Sequence, residues 1–225
     1  MSKEEAARDG KPWSGDFDAR AATWDEDPVK VARANAVADA MRRRLDLRPD
    51  TRALEYGCGT GLLTFALRPP LEHVTLADSS PGMLRVLETK IAAAGASGMR
   101  TLRLDLDVDP VPARRYDLVH SLMTLHHVGD TARILRDWSS MLAASGELAV
   151  ADLDAEDGSF HGSAFTGHRG FDRRRLAERV EAAGFETPSF ETVFRMSRPD
   201  GPGQKEFTVF LMVARKSAGP RSGMR

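Results

Sequence analysis

Only one of the 225 residues, Cys58, is a cysteine. This excludes an internal disulfide and any cysteine-based zinc cluster, and it fits a reducing compartment such as the cytoplasm. No run of about 18 apolar residues occurs, so no transmembrane helix is predicted. Charge of one sign is not in excess: 32 Lys and Arg stand against 33 Asp and Glu, a formal net charge of −1. That balance offers no bulk attraction to nucleic acid or to an anionic membrane, and neither is expected as a partner. The triplets Arg42-Arg43-Arg44 and Arg173-Arg174-Arg175 lie in helical patterns and read as solvated faces. Residues Ser2 to Gly10 are charged and polar and lack the apolar core of a signal peptide. No internal repeat is found.

What is present is organised around Ala53-Leu54-Glu55-Tyr56-Gly57-Cys58-Gly59-Thr60-Gly61-Leu62-Leu63. An apolar run reads as a short strand, three glycines spaced by two read as a tight loop, and a second apolar segment reads as a helix start. Glycine at these positions permits positive φ and removes Cβ atoms, so a ligand can lie against the main chain. Dinucleotide enzymes use a related pattern, G-x-G-x-x-G, but its third glycine falls here on Leu62. Cys58 is either a small side chain packed beside a ligand or a nucleophile.

The E-x-G-x-G-x-G arrangement, with Glu55 two residues before Gly57, resembles motif I of class I S-adenosylmethionine-dependent methyltransferases. Further matches follow in order over residues 17 to 215. Asp78 ends the apolar-rich run from His73, seventeen residues after Gly61; the resemblance makes it the acid that binds the two ribose hydroxyls, since a carboxylate accepts two hydrogen bonds at once. Asp105-Leu106 stands where the family contacts adenine, ahead of the strand Tyr116 to Ser121 and the segment Ser121 to Val128. The resemblance implies S-adenosylmethionine as cofactor, contacted by Trp24, Glu55, Gly57, Cys58, Gly59, Asp78, Ser79, Met83, Asp105, Leu106, Ser121 and Leu122. Trp24 is either a lid over the cofactor or, with Phe17, an anchor for the segment.

Elsewhere strands and helices alternate, which argues a parallel sheet covered on both faces. Val29, Ala32, Ala36, Val37, Ala40, Met41 and Leu45 predict a helix from Pro28 that packs on the sheet. Phe190 to Met196 and Glu206 to Ala214 predict a hairpin through Asp200-Gly201-Pro202-Gly203. Together with the resemblance, this gives an α/β, Rossmann-like doubly wound sheet of seven mostly parallel strands, the last antiparallel, with helices on both faces. The expected organisation is a flexible arm over residues 1–15, a single domain over 16–215 and a polar tail over 216–225.

In such a domain the protein mainly aligns two small molecules; a general base adds about 10²–10⁴-fold where the acceptor must lose a proton. His126, His127, His161 and His168 are all expected at the ligand edge. His126 is the candidate base, although packing or capping is the commoner role for a histidine pair placed as His126-His127 is. The aperiodic stretch Asp152 to Gly170, with His161 and His168, is expected to form the substrate wall. Its acidic residues Asp152, Asp154, Glu156 and Asp157 match no metal motif, and no metal is expected. The segment after the fourth strand lacks the Asn/Asp-Pro-Pro-aromatic tetrad of amino-methylating nucleic-acid enzymes. These features imply a small-molecule acceptor, methylated on O, N or C, in the manner of the quinone-biosynthesis C-methyltransferases. A module that binds the cofactor without turnover and a nicotinamide-dependent oxidoreductase are the alternatives.

Overall fold

The computed structural model describes residues 14–162, 165–200 and 203–218. Two helical pieces, α1 (Ser14–Arg20) and a 3₁₀ segment (Ala21–Glu26), lead into α2 (Pro28–Arg44). The Asp27 side chain caps α2 by accepting from the Val29 and Lys30 amides at 2.9 and 3.4 Å, and Pro28 fixes its first turn. The remaining elements are β1 (Arg52–Tyr56), α3 (Leu62–Ala66), β2 (His73–Asp78), α4 (Pro81–Ala93), β3 (Met99–Arg103) and β4 (Tyr116–Leu122). They are followed by α5 (Thr131–Met141), β5 (Leu142–Leu153), α6 (Arg173–Ala182), β6 (Ser189–Asp200) and β7 (Gly203–Arg215). Ser80, Asp130 and Asp172 cap α4, α5 and α6.

One sheet runs β3-β2-β1-β4-β5-β7-β6. Strands β1 to β5 pair in parallel, and β7 is antiparallel to both β5 and β6. One face buries Val37 and Met41 of α2, Leu63 of α3 and Leu87 of α4; the other buries Ile134 and Trp138 of α5 and Leu176 of α6. This is the seven-stranded, doubly covered sheet expected. Strand order reverses between β1 and β4, so a crevice opens beyond their carboxyl ends, where open α/β sheets bind ligands.

One expectation needs correction. The apolar stripe of α2 is rotated: Val29 and Ala32 are exposed, whereas Arg33, Ala34 and Ala38 are buried. The first turn of α2 stands at the crevice mouth, so only its later turns have the sheet to pack against. Strand β5 begins at Leu142, and the left-handed residue near its start is Ser145, φ 61°. Gly146 is needed for closeness, since a Cβ would lie 3.0 Å from Leu142 and 3.2 Å from the Asp117 carbonyl. Residues 14 and 15 of the expected arm belong to α1, and the rest of it lies outside the described residues. At the other end, Lys216 and Ser217 still bond to Gly146 and Gly184; of the expected tail, residues 219–225 lie outside the described residues.

Candidate active site

The glycine loop crosses the end of β2. The Gly57 and Cys58 amides donate to the Ala77 carbonyl at 2.8 and 3.0 Å, and the Gly59 amide donates to Asp78 Oδ2 at 2.7 Å. Gly57 has φ +69°, and a Cβ there would sit 2.3 Å from Thr124; Gly59 has φ +53°, and its nearest neighbours, Met83 and Trp24, are 3.9 Å away. Gly57 is therefore locked by the protein itself, while Gly59 opens on the crevice. Asp78 Oδ1 accepts from the Ser80 amide at 2.8 Å. Both oxygens thus take backbone bonds, and a carboxylate has lone pairs beyond them for a ligand. Burial raises the Asp78 carboxyl above its usual range, against the lowering pull of those amides.

Beneath the loop Glu55 is 2% exposed and accepts from the Thr64 hydroxyl. Burial pushes its pKa to about 8. Burial likewise raises the Cys58 thiol well above its usual value, so this thiol is no ready nucleophile.

These residues border a cavity of about 590 Å³, within the range of small-molecule sites. Trp24, Glu55, Gly57, Cys58, Gly59, Asp78, Ser79, Met83, Asp105, Leu122, His126 and His161 all line it. Leu106 and Ser121 do not. The Leu106 amide donates to Tyr56 Oη at 3.1 Å and its side chain is 1% exposed in the core; the Ser121 hydroxyl donates to the Tyr56 carbonyl at 2.8 Å. Tyr56 has taken the groups expected at the cofactor. His168 also lies off the cavity, its amide bonded to the His126 carbonyl at 2.8 Å and its ring beside Phe171. Trp24 lines the cavity and belongs to a segment anchored by its neighbours. Asp18 and Asp25 tie the segment to Ser80, Gly82, Thr60 and Lys90, and Trp24 faces Gly59 with the Lys30 ammonium 4.3 Å from its ring centre.

On the opposite wall His126, 1% exposed, is held by Asp152 at the end of β5. Nδ1 lies 2.6 Å from Asp152 Oδ1, the His126 amide donates to Oδ2 at 3.2 Å, and the Leu153 amide donates to Oδ1 at 2.7 Å. Burial alone would raise the Asp152 carboxyl, but His126 and the two amides outweigh it and the net shift is downward. The Asp152 contact at Nδ1 orients the ring and leaves Nε2 as the nitrogen not held by that carboxylate. Burial lowers His127 to about 3 and His161 to about 4, so both rings are neutral.

His126, His127 and His161 are the one grouping among the described residues that can hold a metal, with ligand atoms within 4.8 Å of one another. The acidic residues of the wall do not converge: Asp154 pairs with Arg173 and Thr208, Glu156 accepts from the Gly158 and Phe160 amides, and Asp157 pairs with Lys205. Phe160 and Phe165, within the stretch expected as the substrate wall, line the cavity; sequence reasoning missed Arg33, Met196 and Arg198, which line it too. The one local signal was a cation, Arg33, set between Ala32 and Ala34.

The site can be compared with known proteins. A family profile described as a methyltransferase domain matches residues 30–189. The ubiquinone biosynthesis O-methyltransferase of Marinobacter nauticus is 34% identical over 111 residues, which is 48% of this chain and 47% of that protein. The chain spans about half the length of the curated relatives it matches. A solved S-adenosylmethionine-dependent methyltransferase of Aquifex aeolicus superposes with a TM-score of 0.62 at 15% identity, over 88% of this chain and 98% of that one. Phosphoethanolamine N-methyltransferase 2 of Haemonchus contortus, solved with S-adenosyl-L-methionine, gives a TM-score of 0.65 at 13% identity, over 80% of this chain and 52% of that one. The profile match covers well over half of the residues: the chain belongs to the class I S-adenosylmethionine-dependent methyltransferases.

Proposed function

We propose that the chain transfers a methyl group from S-adenosylmethionine to a small-molecule acceptor, with His126 as general base. The observation that carries this reading is the buried His126–Asp152 pair in the wall of the cavity that the glycine loop borders. When bound, S-adenosylmethionine supplies a methyl group on a positively charged sulfur, which leaves as a neutral thioether. Gly59 would admit the donor against the backbone, Asp78 would accept from its ribose hydroxyls, Asp105 and Met83 would hold its adenine, and Trp24 would close the mouth. The lone pair at His126 Nε2 takes the acceptor's proton, and Asp152 stabilises the imidazolium that results. Such a base suits a hydroxyl, an ammonium or an acidic carbon. A purely binding module has no use for a carboxylate-oriented histidine, which disfavours that alternative; Leu62 disfavours a nicotinamide cofactor. No helix of the described residues is long and apolar enough to cross a membrane. With its single cysteine we assign the chain to the cytoplasm.

The test is transfer of labelled methyl to a panel of phenols, amines and acidic-carbon compounds. The wild type is expected to label at least one of them. His126→Ala should lower that turnover by about 10²–10⁴-fold while affinity for S-adenosylhomocysteine is kept. Labelling that is unaffected by the substitution would remove His126 from the reaction.

A further inference from the structure

The cavity has a cationic side that the methyl-transfer machinery does not use. Arg33, in the second turn of α2, is 9% exposed and lines the cavity. Its Nε is buried with no hydrogen-bond partner among the described residues, and its one polar contact is a weak one, from Nη1 to the Met196 sulfur at 3.9 Å. Two carboxylates, those of Asp152 and Asp27, act on it only through space. Asp152 spends its oxygens on His126 and Leu153, and Asp27 spends its own on the cap of α2 and on Lys30. Beside Arg33 stands a second cation of the cavity wall, Arg198 of β6, whose guanidinium lies 3.9 Å from the centre of the Phe160 ring. The two repel each other, and burial together with this repulsion brings Arg33 down to about 10.

A guanidinium taken out of water without a carboxylate is costly to keep, and buried charges are as a rule paired. Here the partner has to come from the cavity. We propose that Arg33, with Arg198 beside it, forms an anion subsite that receives a carboxylate of a bound small molecule. Arginine suits the task because its planar fork matches a carboxylate with two parallel hydrogen bonds. The proposal rests on the reading of the cavity as the methyl-transfer site. Two molecules of that reaction can bring the carboxylate: the donor, through its amino-acid end, and an acidic acceptor lying against Phe160 and Met196.

Calorimetry separates these sources. Wild type, Arg33→Leu and Arg33→Lys are titrated with S-adenosylhomocysteine, with methylthioadenosine, which has the same nucleoside and thioether but no carboxylate, and with benzoate after saturation with S-adenosylhomocysteine. A donor carboxylate at Arg33 predicts that Arg33→Leu weakens S-adenosylhomocysteine at least tenfold and leaves methylthioadenosine unchanged. An acceptor carboxylate predicts instead that benzoate binding falls at least tenfold with both nucleosides unchanged. In either case Arg33→Lys recovers part of the loss, and Arg198→Gln, at an exposed position, weakens the same ligand should Arg33→Leu fail to fold. The Arg33→Leu protein without ligand is expected to melt no lower than the wild type, because an uncompensated buried cation has been removed. Binding of all three probes unchanged by these substitutions would overturn the subsite. A wild type that binds neither nucleoside would instead sink the methyl-transfer reading itself.

Discussion

The Glu55→Gln substitution isolates the cost of ionising a carboxyl sealed beneath the glycine loop. Glu55 is 2% exposed, and burial raises its pKa from 4.5 to about 8. In the unfolded chain the same group titrates near its ordinary value, so between these two limits the folded protein holds a proton that the unfolded chain has lost. The sign follows. This group's contribution is fully present below its unfolded pKa and is lost as pH rises towards about 8. Each pH unit within that window is worth about 1.4 kcal/mol, and the whole interval roughly 5 kcal/mol. Glutamine has nearly the same shape, keeps an oxygen for the Thr64 hydroxyl and cannot ionise. Urea unfolding of both proteins, at several pH values from about 5 to about 8, should show the free-energy difference moving in favour of Glu55→Gln by roughly 4 kcal/mol. Other titrating groups contribute to both proteins alike and cancel in the difference. A gap between the two that stayed constant over this range would refute the buried, proton-holding state of Glu55.

Further outcomes follow from the loop and its surroundings. Asp78→Ala should lower affinity for S-adenosylhomocysteine at least tenfold by calorimetry, with the far-ultraviolet circular dichroism unchanged; undiminished affinity would refute the ribose role. Gly57→Ala forces a Cβ to within 2.3 Å of Thr124 and should destabilise the fold by about 1–3 kcal/mol in thermal or urea unfolding. Gly59→Ala meets nothing closer than 3.9 Å at a φ of +53°, so it should cost only the backbone strain of about 1 kcal/mol in unfolding, with its larger effect in donor affinity. His126→Ala should lose far more turnover than His168→Ala, since the His168 ring stands beside Phe171 and away from the cavity. The reverse order would move the proton acceptor into the loop after β5.

What could be read from the chain alone was whatever local chemistry dictates. The glycines at 57, 59 and 61, each at positive φ, announce a backbone-lined loop whatever surrounds them. Asp78 ends a strand whose neighbour is set by parallel pairing, so its arrival beside Gly59 follows from topology. The pairing of β6 with β7 was legible from the strand patterns; Gly201 and Pro202 of the expected turn lie outside the described residues. Tertiary contacts hid the rest. Nothing near Leu106 or Ser121 reveals that Tyr56, fifty residues or more away, takes their hydrogen bonds. The partnership of His126 with Asp152 spans 26 residues and depends on β4 and β5 lying side by side. Arg33 lies in a stretch of α2 whose apolar periodicity suggested a different buried face, and only the packed helix shows that a cation is enclosed there.

The most direct test of the whole account is the structure of crystals soaked with S-adenosylhomocysteine. The account predicts density along Gly57 to Gly59, with the ribose hydroxyls on Asp78, the adenine beside Asp105 and Met83, and the sulfur turned towards the side of the cavity where His126 stands. Density for the nucleoside anywhere else, with the cavity between Asp78 and His126 filled by solvent alone, would contradict it.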